Sequence, residues 1–353
     1  MRWRATIALA SAAALLTGCA GPAPETATKT PGAAAPQGLA ALTEQAKNEG
    51  TLVAYGNMIT EDVAALTDAF QAEYGLENLN IEYTRLTSAE LVQRFQVEAD
   101  AGRVLADLIL TTDTSIFEKH PELFETMTAD LLPDVAKYPK INVREHGIQT
   151  YISPFGIIYN TQILSKKDVP TSWDDLADPS LAGQIILNDP RNSPVYRVML
   201  NGIREDHGDK LLKAIGKSGF QLTNTSPNGM QVIAAGGSAA MFPAPNLLSG
   251  LPASAPVAFA VPEGRVFGTE QFFALPSGVA HPSAARLFGN WLLTEPAWKI
   301  TCKKPLYVND ASIPGAENCA SVDPSKFVSI SSAENVAGVG AYENEIYQLL
   351  NLR

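Results

Sequence analysis

Thr51-Leu52-Val53-Ala54-Tyr55 is a short apolar run stopped by Gly56-Asn57, a strand that ends in a turn. From Thr60, placed to cap, Val63, Leu66 and Phe70 recur at helical spacing. Asn80-Ile81-Glu82-Tyr83 alternates as a strand does. Ser88 then caps a helix carrying Leu91 and Phe95, and Ala106 to Leu110 makes a third strand ending at Thr111-Thr112-Asp113-Thr114. This β-α-β-α-β order predicts a parallel sheet with right-handed crossovers. The pattern begins again at Gln184-Ile185-Ile186-Leu187, with a helix through Val195, Met199 and Ile203, a strand near Phe220–Thr223, a helix over 227–235 and a strand over 239–242. Two α/β lobes follow, each with ligand-capable loops at the carboxyl ends of its strands.

Between the two copies lies the extended run Thr150 to Asn160, and a second extended stretch spans Val257 to Val261. Two such crossings make a hinge between lobes; the plainer alternative is a pair of buried strands inside one larger sheet. The expected division is 50–152 for the first part of lobe 1 and 153–260 for lobe 2. Residues 261–353 are expected to return to lobe 1, with a C-terminal helical segment near the hinge.

The 353 residues carry 26 Lys+Arg against 37 Asp+Glu, a net charge of −11. No basic face large enough for a phosphate backbone is expected, which excludes nucleic acid as a partner. At the N-terminus, Arg2 and Arg4 precede an apolar stretch from Ile7 to Leu16, too short to span a bilayer and of signal-peptide form. It ends in Leu16-Thr17-Gly18-Cys19, which resembles the bacterial lipobox. That resemblance implies a signal peptide over 1–18, a lipid on Cys19 and an anchor to the outer face of a membrane. Residues 19–49 are expected to form the lipidated N-terminus and a flexible tether, since Ala20 to Gln37 is poor in large apolar groups. Of three cysteines, two remain, Cys302 and Cys319, and export predicts a disulfide between them.

From about Gly50 to Arg353 the chain resembles the extracellular solute-binding proteins of ABC importers, in their ferric-ion-binding-like branch. The most specific phrases are Gly156-Ile157-Ile158-Tyr159-Asn160-Thr161, then Pro170-Thr171-Ser172-Trp173-Asp174-Asp175-Leu176, then Pro179-Ser180-Leu181-Ala182-Gly183. Leu52–Gly56, Ala106-Asp107-Leu108 and His281–Phe288 add weaker matches in the right order. The resemblance implies a two-lobed periplasmic-binding-protein-like fold (type II) with extended hinge strands and a ligand cleft between the lobes. It also implies a monomeric protein, without cofactor, that delivers a small-molecule solute to a membrane permease and its ATPase. Iron carriers of this branch place two adjacent tyrosines after the strand corresponding to 239–242. Here that position reads Met241-Phe242-Pro243-Ala244-Pro245-Asn246-Leu247, which argues against ferric iron.

The candidate site is drawn from loops of both lobes. Arg191, Asn192 and Ser193 stand ahead of a helix, where a free N-terminus and a guanidinium favour a carboxylate, phosphonate or phosphate. The plainer reading is a capped turn with a solvated arginine. Asn57, Met58, Thr112, Asp113 and Thr114 are expected to face this loop from lobe 1, with Asn224 and Asn246 beside it and Phe155, Phe242 and Phe267 as apolar walls. The expected ligand is a small, oxygen-rich organic anion, although Asp113 would suit an ammonium or hydroxyl. No catalytic motif stands out: Gly236-Gly237-Ser238-Ala239-Ala240 lacks the final glycine of a nucleophile elbow. The rivals are an iron or iron-chelate carrier of the same family, a secreted lipoprotein hydrolase using Asp113 and Glu263, and a ligand sensor.

Overall fold

The computed structural model describes residues 38–352 except 138–141, 166, 247, 249–250, 253, 304–305 and 310–311. The expected signal peptide and Cys19 lie outside the described residues. Eleven α-helices and thirteen strands alternate along them. The helices are α1 (Leu39–Glu49), α2 (Thr60–Tyr74), α3 (Ser88–Asp100), α4 (Ser115–Glu118), α5 (Pro194–His207), α6 (Asp209–Ser218), α7 (Ser226–Ala234), α8 (Pro282–Trp291), α9 (Glu295–Thr301), α10 (Ala333–Ala337) and α11 (Glu343–Leu349). The strands are β1 (Thr51–Gly56), β2 (Asn80–Arg85), β3 (Leu108–Thr111), β4 (Val143–Arg144), β5 (Gly147–Asn160), β6 (Ile185–Asn188), β7 (Gln221–Thr223), β8 (Ala240–Pro245), β9 (Val257–Ala260), β10 (Val266–Ala274), β11 (Tyr307–Val308), β12 (Ala320–Ser321) and β13 (Phe327–Ser329).

Strand order is β2-β1-β3-β10-β5-β8-β6-β7. The β1–β2, β1–β3, β6–β7 and β6–β8 pairs are parallel, as the repeated β-α-β pattern requires. β5 and β10 join the lobes. Residues 148–154 of β5 pair antiparallel with β10, while residues 155–160 pair with β8 and β9. β10 makes the second crossing: Phe267 packs in the core around Trp173, and Phe273 in the core around Trp291. The sequence placed that crossing at 257–261. β9 instead stays in lobe 2, because its four residues are fully paired with β5 there.

Two further expectations change. Residues 39–49 are not tether: Leu42 and Ala46 are buried from one face of α1, and Glu49 accepts the Ser283 and Ala284 backbone N–H groups at the start of α8. A carboxylate on a helix N-terminus is favourable, so α1 closes over α8. The tail also divides. Ala284, Leu287, Phe288, Trp291, Trp298, Leu306, Ile313 and Cys319 pack in the first core, but Ile330, Val339, Ile346 and Leu350 complete the second, against the helices α5 and α6. The apolar stripe of α11 finds its partner there and not in lobe 1.

The phrases that carried the resemblance serve the framework. Asp107, wholly buried, accepts Val53 N–H at 2.8 Å and His281 N–H at 3.0 Å, tying β1 to the start of α8. Asn160 donates to the Ile233 carbonyl and accepts from Gln162 and Ile163. Asp175 accepts Thr171 and Ser172 N–H, fixing the turn that buries Trp173 against Phe242 and Phe267.

Cys302 and Cys319 form the expected disulfide, 17 residues apart. Closing a loop of that length is worth about 3 kcal/mol in the chain-entropy model. Replacing both by serine is expected to lower the unfolding free energy by about that amount, read from urea unfolding in non-reducing buffer. An unchanged midpoint and slope would show that the bridge adds nothing.

Candidate functional site

The carboxyl ends of the parallel strands of both lobes open on one region, as open α/β sheets dictate. A cavity of about 320 Å³ lies there. Lobe 1 supplies Asn57, Met58 and Ile59 after β1, Asp62 and Leu66 from α2, Arg85 at the end of β2 and Thr112 after β3. Lobe 2 supplies Pro245 and Asn246 at the end of β8. The floor is the pair of joining strands: Tyr151 sits opposite Gln271 and Ser153 opposite Thr269, so four polar side chains share one face of the sheet. Ile300, Thr301, Lys303 and Leu306, around the end of α9, close one side.

Hydrogen bonds brace the lobe 1 wall. The Asn57 amide lies 2.8 Å from Thr112 Oγ1 and 3.0 Å from Ser88 Oγ. With its oxygen toward these hydroxyls, its nitrogen reaches Gln271 Oε1 and the Leu110 carbonyl, each at 3.2 Å, and both ends are satisfied. Burial, with smaller contributions from Asp62 and Tyr83, pushes the Tyr151 phenol pKa well above its ordinary value. Tyr151 therefore stays a neutral donor at physiological pH. Arg85 and Lys303 are exposed to the cavity and make no ion pair with any described residue.

A second cavity of about 350 Å³ adjoins, with Pro245 lining both. Its other walls are Asn192, Ser193 and Tyr196 at the start of α5 and Asn224, Thr225, Ser226 and Pro227 at the start of α7. Ser193 occupies the N-cap position of α5, but its hydroxyl makes no capping bond and stays available.

Of the residues expected from sequence, Asn57, Met58, Thr112 and Asn246 meet in the first cavity, and Asn192, Ser193 and Asn224 in the second. The other six point elsewhere. Arg191 lines neither cavity; its Nε and Nη2 hold the two carboxylate oxygens of Asp189 at 2.9 and 2.7 Å. Asp113 accepts the Ser115 N–H and lines a different cavity beside α3, with Val97 and His120. Thr114 is buried and accepts from Arg144. Phe242 is wholly buried against Trp173, and Phe155 lies behind the second cavity, its ring 6.5 Å from Tyr196. Apolar rings at these strand positions pack the core, and Phe267 does likewise. Glu263 lines none of these cavities.

Sequence reasoning missed Arg85, Lys303 and the floor. The floor had a signal: Tyr151, Ser153, Thr269 and Gln271 sit at alternate positions, the period that sets one face of a strand apart. Arg85 is the last residue of a parallel strand, where ligand contacts concentrate. Lys303 follows a short helix far along the chain, and no local pattern marks it.

The Asp189–Arg191 pair carries its own prediction. Hydrogen bonds from Arg191 hold the Asp189 pKa below its ordinary 3.8. A depressed carboxylate stabilises above that value, and the contribution is lost as pH falls through the folded pKa. Arg191→Ala is expected to lower the melting temperature at pH 7, with the gap to wild type narrowing below about pH 4. A gap that stays constant as the pH falls through that range would show that the pair contributes nothing.

Residues 104–299, more than half of the chain, match the family model described as bacterial extracellular solute-binding protein. Among curated proteins, the chain is 25% identical over 148 residues to the phosphoglycerate transport regulatory protein PgtC of Salmonella typhimurium, covering 41% of this chain and 36% of that protein. It thus spans about a third of the length of the curated relatives it matches. Solved structures share the fold, three among them being the following. The substrate-binding protein of an ABC transporter from Agrobacterium tumefaciens aligns at TM-score 0.64 and 17% identity, over 85% of this chain and 94% of its own. Fructose-6-phosphate-bound AfuA from Actinobacillus pleuropneumoniae aligns at 0.60 and 18%, over 86% and 99%. Iron-bound HitA from Pseudomonas aeruginosa aligns at 0.59 and 17%, over 84% and 99%. With the family model matched across both lobes and the joining strands, the chain belongs to the bacterial extracellular solute-binding protein family.

Proposed function

We propose that this chain is the solute-capturing component of an ABC import system and that it takes a small, oxygen-rich organic anion into the cleft between its lobes. The observation that carries the reading is the pair of cations Arg85 and Lys303, both lining the cavity and neither answered by a carboxylate among the described residues. Arg191, by contrast, is satisfied by Asp189. Asp62 also lines the cavity but is already engaged by another group. Hydroxyls of Thr112, Ser153, Thr269 and Thr301 surround the same space, and such groups complete the coordination of a carboxylate, phosphonate or phosphate. Closure about β5 and β10 would bring Asn246 and the α5 and α7 starts onto an anion held by lobe 1.

The leader and Cys19 fit an exported monomer held by lipid at the outer face of a membrane, handing its solute to a permease. Mass spectrometry of the exported protein tests the anchor: a mature form beginning at unmodified residue 20 or later would exclude it. Among the described residues no helix is long and apolar enough to cross a membrane.

The fold is shared with an iron-bound protein, but the chemistry here does not favour iron. Among the described residues no group of three or more His, Cys, Asp or Glu could hold a metal ion, and burial disfavours the phenolate of Tyr151. Titration with ferric citrate is expected to give no phenolate-to-iron charge-transfer band. A strong visible band at one iron per chain would overturn the anion reading. A thermal-shift screen of organic acids and phosphate esters, followed by calorimetry, tests it directly: stabilisation only by neutral or cationic solutes would exclude it.

A further inference from the structure

Resting on the anion reading above, we propose that Cys302 and Cys319 are positioning residues for solute binding: their bridge pins the end of α9 so that the Lys303 ammonium faces the solute, and opening the bridge weakens anion binding through Lys303. The bridged Cys302 is the C-cap of α9, one position before Lys303. Ile300, Thr301, Lys303 and Leu306 line the first cavity, so Cys302 falls within that wall in sequence without lining it. α9 has only seven residues, and a helix so short is marginal by itself, with ends free to fray. The end exposed to fraying is the one that meets the solute.

The partner half of the bridge acts as a splint. Gly315 packs along α9: a Cβ there would lie 2.3 Å from the Glu295 carbonyl oxygen and 3.0 Å from Trp298 Cβ. Its φ of +88° is one that glycine accepts and other residues resist. The chain then reaches Cys319, joined to the C-cap, and Ala320, whose N–H donates to the Leu306 carbonyl at 2.9 Å. One side of the wall is therefore tied covalently at Cys302 and the other by a hydrogen bond at Leu306. The tie extends to the floor: β11, which pairs with β12, places Tyr307 opposite Ile152, between the floor residues Tyr151 and Ser153. Both cysteines are buried and line no part of the cavity, so the bridge acts through its neighbours. A lysine on its flexible stem delivers a directed charge only when the backbone beneath it is held. α9 also packs on α2, so the fold survives without the bridge while the aim of Lys303 is lost.

The test is a double-mutant cycle read by calorimetry, with inorganic phosphate and citrate as the anion probes. The bridge is removed by Cys302→Ala with Cys319→Ala, which buries no new hydroxyl. Lys303→Ala is expected to weaken anion binding about tenfold, as loss of a charge-assisted hydrogen bond does. Removing the bridge should weaken it about fivefold or more in the wild-type background, but less than about twofold once Lys303 is alanine. Ile346→Ala empties a buried position in the second core; it destabilises without touching the wall and should keep affinity within about twofold of wild type. Circular dichroism verifies that each variant is folded; where the alanine pair is not, wild type and Lys303→Ala reduced with TCEP take its place. Wild-type affinity in the alanine pair overturns the assignment. So does an equal loss in both backgrounds, or an equal loss in Ile346→Ala, which would make the bridge a matter of stability alone; in these cases the anion reading stands. Lys303→Ala binding like wild type also overturns it, since the bridge would have nothing to aim. No binding of either probe to the wild-type chain would instead sink the anion reading, and the positioning role with it.

Discussion

Replacing Arg85 and Lys303 together by alanine is expected to weaken binding of the organic anion by about a hundredfold or more. A charge-assisted hydrogen bond is worth about 1.5–3 kcal/mol, a factor of ten to over a hundred for each cation that contacts the solute. The two effects need not add, since both groups act on one charge. Arg85 and Lys303 are exposed and have no ion-pair partner among the described residues, so the fold should survive their loss. Calorimetry with wild type and the double variant, at two salt concentrations, reads this out. Wild-type affinity should fall as salt rises, because exposed charges are screened, and the double variant should show little salt dependence. Equal affinity in the two proteins would place the anion elsewhere.

Gly156→Ala is expected to destabilise the protein by about 3 kcal/mol, among the larger single-residue effects. An added Cβ would lie 2.1 Å from the Ala260 carbonyl oxygen and 3.1 Å from the Phe259 ring. That carbonyl belongs to β9, where Ala260 is the register partner of Ile157, so it cannot move without breaking the sheet. The ladder between β5 and β8 already shifts register between Gly156 and Ile158. The glycine therefore lets β9 and β8 both close on β5 just beyond the lobe junction. Gly338→Ala is the control, with open space around the new Cβ, and should stay within about 0.5 kcal/mol of wild type. Urea unfolding of the two variants makes the comparison. Equal stability of Gly156→Ala and wild type would show that β9 can yield.

The framework was legible because it rests on local periodicity. Val63, Leu66 and Phe70 are buried on α2 as their spacing requires, and the parallel pairing follows from the strand–helix alternation. Ordered phrases such as Trp173-Asp174-Asp175-Leu176 identified the family because they build its core turn. What depends on long-range packing was not legible. Leu39–Glu49 falls in the stretch expected to be tether, yet it forms a helix held by α8, more than 230 residues away. Arg191 looked like an anion ligand because nothing local shows that Asp189, two residues before it, will fold back onto its guanidinium. Lys303 reaches the cleft through the disulfide-bordered turn after α9, a placement set by tertiary contacts.

The central claim is that the solute is captured between the lobes, with Arg85 and Lys303 on one side and lobe 2 closing from the other. Small-angle X-ray scattering of the mature chain, with and without a saturating amount of the tightest-binding anion, tests it most directly. The account predicts a smaller radius of gyration with the anion, and no change in the Arg85→Ala, Lys303→Ala variant at the same concentration. An unchanged wild-type curve, with binding verified by calorimetry in the same buffer, would contradict it.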